Sequence, residues 1–556
     1  MSIAELSTET LTHVLSELEY FEILKARRVC NQWKQIIDSS LLLQYLTELG
    51  CHGKVEGCSV NLTTAEKLQE LLLHEHRWVN LEPHSLCEIE PPIDEIYEFA
   101  CSVIGTGPRR SPMSLFFAEL PSAVNSTPLR TWTHQDPSLL LRDFTMDPSQ
   151  DLLVLLTYSS RNASPEFEWS IHLHSLSTNK AHSRAKNPIL PMKLMIMPEE
   201  SFRIQVFGET LALLEPDLTS HILTVWDWTS GTLLLNWEIS DSPMRCRDIQ
   251  FLSDDTVTLP MLPYINENLP ARLDIYTLDK QEPPLENAEK GILVPSLSCS
   301  LLFPGNGIIS LSLKLGSRPY ASLPTFIVSC GSSKLFNHQG DRIVILQLLT
   351  RTDEKIHKCS LAIYASQLLA FAQASTLRER PRYYISWSEW AAYTTSVPTS
   401  RSRFDPCSAY GDRCVILGRT PEGISTIRVF DFRPSRFRRF QHSLSAVSVA
   451  SRSCPWPSPL RSQDNPNVTT RLMEARPVAG TPTIFTELGA DDTDDELDGE
   501  ISRRGSSPSH LPYTELERQL GEAQRVPLRV MIDEENVVIL WLYCRNGRYR
   551  YEILNF

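Results

Sequence analysis

The chain has 556 residues, too many for one ordinary core, and its 42% hydrophobic and 22% charged content is that of a globular protein of two or more units. A net charge of −14 speaks against a nucleic-acid binder, which needs a basic domain or stripe; the one compact basic run, Arg433, Arg436, Arg438 and Arg439, reads as a solvated loop. With 38 prolines against 22 glycines the chain is no long helical array, and its 13 scattered cysteines, without any C-x-x-C, read as free thiols in a reducing compartment rather than as a zinc or disulfide framework.

The opening, MSIAELSTETLTHVLSELEY, has no basic n-region and no unbroken apolar run, so it is not read as a signal peptide. Residues 5–50 instead read as helices. Leu11, Val14, Leu15 and Leu18 fall at i, i+3, i+4 and i+7, one helical face, with Ser7 placed to cap its start. A second segment begins near Glu22 and carries Ile23, Leu24 and Ala26; a third is marked by Val29, Trp33, Ile36 and Ile37. A unit of ~40 residues seldom hides enough apolar surface to stand alone, so this one should dock on something, either the rest of the chain or another protein.

The order of these residues resembles an F-box. Leu6-Ser7-Thr8-Glu9-Thr10-Leu11 is followed by Val14-Leu15-Ser16-Glu17-Leu18, then by Glu22-Ile23-Leu24 and Val29-Cys30-Asn31-Gln32-Trp33. Three residues depart from the motif: Ser7 stands for a proline, Thr10 for an aliphatic residue and Glu22 for an aspartate; Leu43 lies where a final tryptophan is often found. The resemblance implies a partner, the small Skp linker protein, and through it a cullin scaffold. It also implies the residues that meet the linker: Leu6, Glu9, Leu11, Leu15, Ile23, Leu24, Val29, Cys30 and Trp33.

A further helix is expected over residues 63–78, opened by the capping box Thr63-x-x-Glu66 and carrying Leu68, Leu71 and Leu72. His74 and His76 are two apart, on different helical faces, and make no metal pair. From about Ile96 short apolar runs alternate with turn residues. The clearest is Ile222-Leu223-Thr224-Val225-Trp226-Asp227-Trp228, a Thr229-Ser230-Gly231 turn, and Thr232-Leu233-Leu234-Leu235-Asn236-Trp237, which resembles the end of a WD-type propeller blade. Echoes occur at residues 169–174, 272–276, 342–349, 361–365, 426–432 and 537–543, and the anchors Ile171, Val225 and Ile275 lie 54 and 50 residues apart. The richest apolar stretch, residues 361–374, is too short for a bilayer span, which needs ~20 residues.

The expected architecture is α+β and multidomain: an F-box at 1–50, a helical linker at 51–94, a WD-repeat-like all-β propeller of about seven blades at 95–451, a disordered acidic and Pro/Ser-rich insertion at 452–512, and strands closing the propeller at 513–556. A pair of β-sandwiches is the competing architecture. Within the insertion, Thr493 precedes acidic residues and Ser506 follows two arginines, patterns open to phosphorylation. The sequence carries no G-x-x-x-x-G-K-[ST], G-x-S-x-G or H-E-x-x-H, and its Gly105-Thr106-Gly107 run lacks the third glycine of a phosphate cradle. The expectation is therefore a non-enzymatic adaptor of an SCF-type ubiquitin ligase in the cytoplasm or nucleus, without cofactor or metal, nucleic acid or membrane, whose β-domain binds an unknown protein target. The alternatives are a scaffold with a self-packed helical end and, third, a propeller-type hydrolase.

Overall fold

In a computed structural model of the chain, the structure describes residues 6–57, 62–92, 94–124, 127–160, 166–192, 195–196, 202–216, 221–239, 244–264, 269–280, 293–304, 308–315, 335–338, 341–352, 355–376, 384–398, 407–420, 422–433, 468–473, 513–521, 525–543 and 548–556. Four short helices come first: α1 (Thr8–Ser16), α2 (Tyr20–Ala26), α3 (Asn31–Ser39) and α4 (Leu41–Cys51). Ser7 caps α1, its hydroxyl accepting from the Thr10 amide at 3.3 Å. The helices enclose a small core of Leu11, Leu15, Ile23, Ala26, Ile36, Ile37 and Leu43, and the Arg27 guanidinium grips Asp38 across α2 and α3, with Nη2 to Oδ2 at 3.0 Å.

Gly50 of α4 allows the close approach of α2, because a Cβ there would lie 2.5 Å from the ring and Cβ of Tyr20. Alanine would favour a helix interior by ~1 kcal/mol on propensity alone, but the clash wins: Gly50→Ala is expected to cost about 1–3 kcal/mol. Chemical denaturation checks this; a stabilised variant would show that α2 and α4 pack more loosely.

Next comes α5 (Thr64–Val79), whose Thr63/Glu66 capping box is formed as the sequence reads. The rest is mainly β-structure, with helices at Ala365–Thr376 and Trp387–Trp390, in sequential and almost wholly antiparallel sheets, seven blades in all among the described residues. Blade 1 holds Ile96–Ala100, Val103–Gly107, Ser111–Glu119 and the first half of Arg130–Asp147. Blade 2 takes the second half of that long strand with Leu152–Ser160, Glu166–Ser175 and the short Ile189–Pro191 and Met195–Ile196. Blade 3 is Arg203–Phe207, Thr210–Pro216, His221–Asp227 and Thr232–Glu238; blade 4 is Met244–Cys246 with Gln250–Phe251, then Thr256–Pro263, Arg272–Lys280 and Leu293–Leu302. Blade 5 is Ile308–Leu315, Ile343–Thr352, Lys355–Tyr364 and Thr395–Val397; blade 6 is Ala409–Tyr410, Arg413–Arg419, Ser425–Asp431 and Tyr513–Gln519. Blade 7 joins Arg525–Ile532, Asn536–Tyr543 and Tyr549–Asn555 to Ser85–Ile89 from the other end of the chain.

Apolar seams between neighbouring sheets close these blades into a ring. Met113, Leu115 and Phe117 of blade 1 pack with Leu153 and Leu155 of blade 2, and equivalent clusters fill every following seam. The last seam returns to the start: Val538, Leu540 and Tyr551 of blade 7 pack on Phe99 and Ile104 of blade 1. Central strands are therefore apolar on both faces, which is why residues 152–156 are buried without alternation. The sequence anchors Ile171, Val225 and Ile275 are the third strands of blades 2, 3 and 4, and the turn after Val225 holds Gly231 at φ +71°, a conformation suited to glycine.

Three expectations need correction. Residues 51–94 are not only helical, since Lys54–Glu56 pairs with Phe336–His338 and Ser85–Ile89 completes blade 7. Residues 468–473, expected within a disordered insertion, form a strand on the outer edge of blade 6, in register from Val468↔Arg518 to Met473↔Tyr513; the remainder of 452–512, with Thr493 and Ser506, lies outside the described residues. Arg433, expected in a solvated basic loop, is buried at 4% exposure, while Arg436, Arg438 and Arg439 lie outside the described residues. Its carboxylate partners, Asp431 beside it, Asp412, and Glu75 far away in sequence, account for the burial.

Candidate functional site

The nine residues expected to meet a partner divide by their burial. Leu11, Leu15 and Ile23 are 0–2% exposed and belong to the helical module's own core, where they support the surface from beneath. A helical stripe read from sequence shows which side is apolar and not which of its members the module itself covers. Leu6 and Trp33 are half-buried against that core. Glu9, Leu24, Val29 and Cys30 are exposed, Val29 at 65%. The sequence reading does not assign Phe21 or Val14 to the partner surface, though they are exposed at 43% and 51%; Val14 reads as part of the apolar stripe, and the signal for Phe21 is a large apolar side chain three positions before Leu24.

Phe21 and Leu24 share the outward face of α2 at i, i+3, and Lys25 lies over the Phe21 ring with its Nζ 4.9 Å from the centroid. After α2 the chain continues in a tight turn, with Arg28 and Val29 amides donating to the Lys25 and Ala26 carbonyls at 2.9 and 3.0 Å. It then enters α3 through Cys30, whose sulfur caps the Trp33 amide at 3.5 Å. An open concavity results, lined by Arg27, Arg28, Val29, Cys30, Asn31 and Lys34. Large apolar side chains are thus exposed together on a small module.

The other side of the module is fixed to the ring. Helix α4 serves both parts: Leu43 enters the helical core, whereas Tyr45 and Leu49 pack with Leu68 and Leu71 of α5 and with Leu335 and Phe336 from a loop of blade 5. At the centre of the junction is the Glu75 carboxylate of α5, fully buried. Arg433 forks onto it at 3.2 and 3.4 Å, His52 Nδ1 lies at 3.2 Å, and Lys54 Nζ and Arg413 Nη2 stand at 3.7 and 3.6 Å. Burial alone would raise this carboxyl; Arg433 and His52 outweigh it and hold it well below the usual carboxylate range. Arg433 also bonds Asp431 at 2.8 Å and the His52 carbonyl at 3.2 Å, so one guanidinium ties the linker to blade 6. Trp78, one turn on, stacks on Phe556 at 4.3 Å, lies under the Arg413 guanidinium, and donates its indole N–H to the Glu534 carbonyl at 3.1 Å.

Leu68, Leu71, Glu75 and Trp78 recur at i, i+3, i+7 and i+10, so a carboxylate on an otherwise apolar stripe was the available sequence signal for this junction. The ring groups that hold α5 come from connections between first and second strands or third and fourth strands of blades 5 to 7. Because antiparallel strands alternate in direction, those connections share one face of the ring.

His74, also fully buried, is pushed down to about 4 by burial and by the neighbouring Lys54, whose Nζ sits 3.0 Å from Nδ1. Trp78, Glu75 and Arg413 surround the same ring. A neutral histidine in the fold that would bind a proton near pH 6.5 when unfolded makes the unfolded state the better proton acceptor between those values. Its stabilising contribution is thus complete above about pH 6.5 and is lost as the pH falls towards 4, at roughly 1.4 kcal/mol per pH unit. In denaturation measured between pH 7 and 4.5 the parent chain should lose more stability than His74→Gln by about this slope, the raised Glu98 carboxyl acting in the opposite direction in both; equal pH dependence would remove His74 as the cause.

Comparison with known proteins agrees with the residues. The F-box domain family matches residues 3–45. No curated protein matches the chain. Among solved structures, the chain is similar to Kluyveromyces lactis Hsv2 at 9% identity, covering 83% of this chain and 97% of that one with a TM-score of 0.33. It is similar to the Dos1 propeller at 9% identity, covering 85% and 95% with a TM-score of 0.34. The β-propeller domain of the Trilobed protease from Pyrococcus furiosus is similar at 8% identity, 82% and 94% coverage and a TM-score of 0.33. At such scores the ring assignment rests on blade order and closure in the chain itself. The chain thus carries an F-box domain followed by a β-propeller. No helix among the described residues is long and apolar enough to cross a membrane.

Proposed function

We propose that this chain, an F-box followed by a seven-bladed ring, is the substrate-recruiting adaptor of an SCF-type ubiquitin ligase: its F-box binds the Skp linker, and through it a cullin, while the propeller binds the target protein. The observation that carries this reading is the uncovered apolar surface of Phe21, Leu24 and Val29 on a module whose opposite side is fixed to the ring. In a self-packed scaffold that surface would face the propeller. The adaptor contributes proximity, converting encounter with the target into a local event at high effective concentration. Loops that differ from blade to blade carry the target specificity, as propeller surfaces do.

The test is capture of the purified Skp linker by the full chain. Leu24→Ala combined with Val29→Ala removes exposed side chains and leaves the core intact; it is expected to reduce capture at least tenfold, since each buried anchor is worth ~1.5–3 kcal/mol. Undiminished capture by the variant, or none by the parent chain, would refute the assignment.

A further inference from the structure

On the Leu24–Val29 side of the F-box surface, the residues that neighbour the apolar anchors are basic, whereas Glu19 and Glu22 lie at the start of α2. On α2 and its terminal turn, Phe21, Leu24, Lys25 and Arg28 stand at i, i+3, i+4 and i+7 and occupy a single helical face. The adjoining concavity around Val29 is lined by Arg27, Arg28 and Lys34 and by no carboxylate. Arg27 is committed to Asp38, whereas the exposed side chains of Arg28 and Lys34 make no ion pair among the described residues. These cations stand out on a chain whose net charge is −14.

Resting on the adaptor reading, we propose that the partner surface covering this part of the F-box is an apolar groove with carboxylates along the edge that meets the turn between α2 and α3, and that Arg28 and Lys34 pair with them. The apolar part of the groove takes Phe21, Leu24 and Val29. The acidic edge fixes the direction in which the two proteins lie and draws them together before contact. A neutral groove would leave two cations desolvated and unpaired on docking, at a cost that a close apolar fit would have to overcome. Rim charges act mainly on the association rate and its salt dependence, whereas apolar anchors act mainly on dissociation.

Arg28→Glu combined with Lys34→Glu, made in the full chain and checked for unchanged thermal unfolding, is therefore expected to slow association with the purified Skp linker roughly tenfold at low ionic strength. The parent chain's association should slow as salt rises from 50 to 500 mM, and the variant's should lose that dependence. If the parent chain binds with no salt dependence and the variant matches it, while Leu24→Ala with Val29→Ala still reduces capture at least tenfold, the acidic edge is refuted and the adaptor reading stands. If the parent chain does not bind the linker at all, both fall.

Discussion

Replacing Glu75 by alanine is expected to destabilise the chain by about 3–5 kcal/mol, the cost of breaking a buried ion pair from one side. The reason is the sign of what remains. Arg433, Arg413, Lys54 and His52 converge on this one carboxylate, all at 8% exposure or less. Without it, Asp431 and Glu534 are left as the main counter-charges to Arg433, Arg413 and Lys54, in a site too dry to screen the excess of cations. The loss should appear in a chemical denaturation midpoint and as faster amide exchange across α5 and Lys54–Glu56, with the blade 2 to 4 strands protected as before. Glu75→Leu with Arg433→Met should lose much less, because removing both partners leaves fewer orphaned charges. A single-variant loss below about 1 kcal/mol would mean that water enters the junction and screens it. Capture of the Skp linker should survive, since Phe21, Leu24 and Val29 lie on the other side of the module.

Trp78→Ala is expected to cost about 3–5 kcal/mol, the range for a fully buried aromatic. Four contacts end together: the stack on Phe556, the cation–π contact with Arg413, and the hydrogen bonds of the indole N–H to the Glu534 carbonyl and to His74 Nε2. Trp78→Phe retains the stack and separates the hydrogen bond from the packing; it should fall between parent and alanine. Because Ser85–Ile89 closes the ring by backbone pairing with Tyr549–Asn555, the ring should outlast the junction, and exchange in α5 should rise before exchange in blade 7. Simultaneous loss of both would show instead that the junction and the closing sheet unfold as one unit.

The helical module and the strand repeat were legible because each rests on local periodicity. Apolar residues at helical spacing located α1, and an apolar run with a glycine turn located the third and fourth strands of blade 3. Seven blades followed from the repeat length alone. Periodicity could not divide the α1 and α2 stripe into core and surface, so Leu11, Leu15 and Ile23 were expected at an interface that they only support. Nor could it place Ser85–Ile89, a single short strand whose partners lie more than 450 residues away.

Local patterning along the chain settles the order of units, the helical character of the first, the blade spacing of the second and the residue types available for docking, because these are set by neighbours a few positions apart. Which apolar side chains stay uncovered, and where the ring closes, emerge only from the folded arrangement. The same holds for Glu75 and Arg433, 358 residues apart in the chain, which bury one another's charge: whether a carboxylate or guanidinium is solvated or sealed depends on the charge brought against it in space, and no local pattern encodes that.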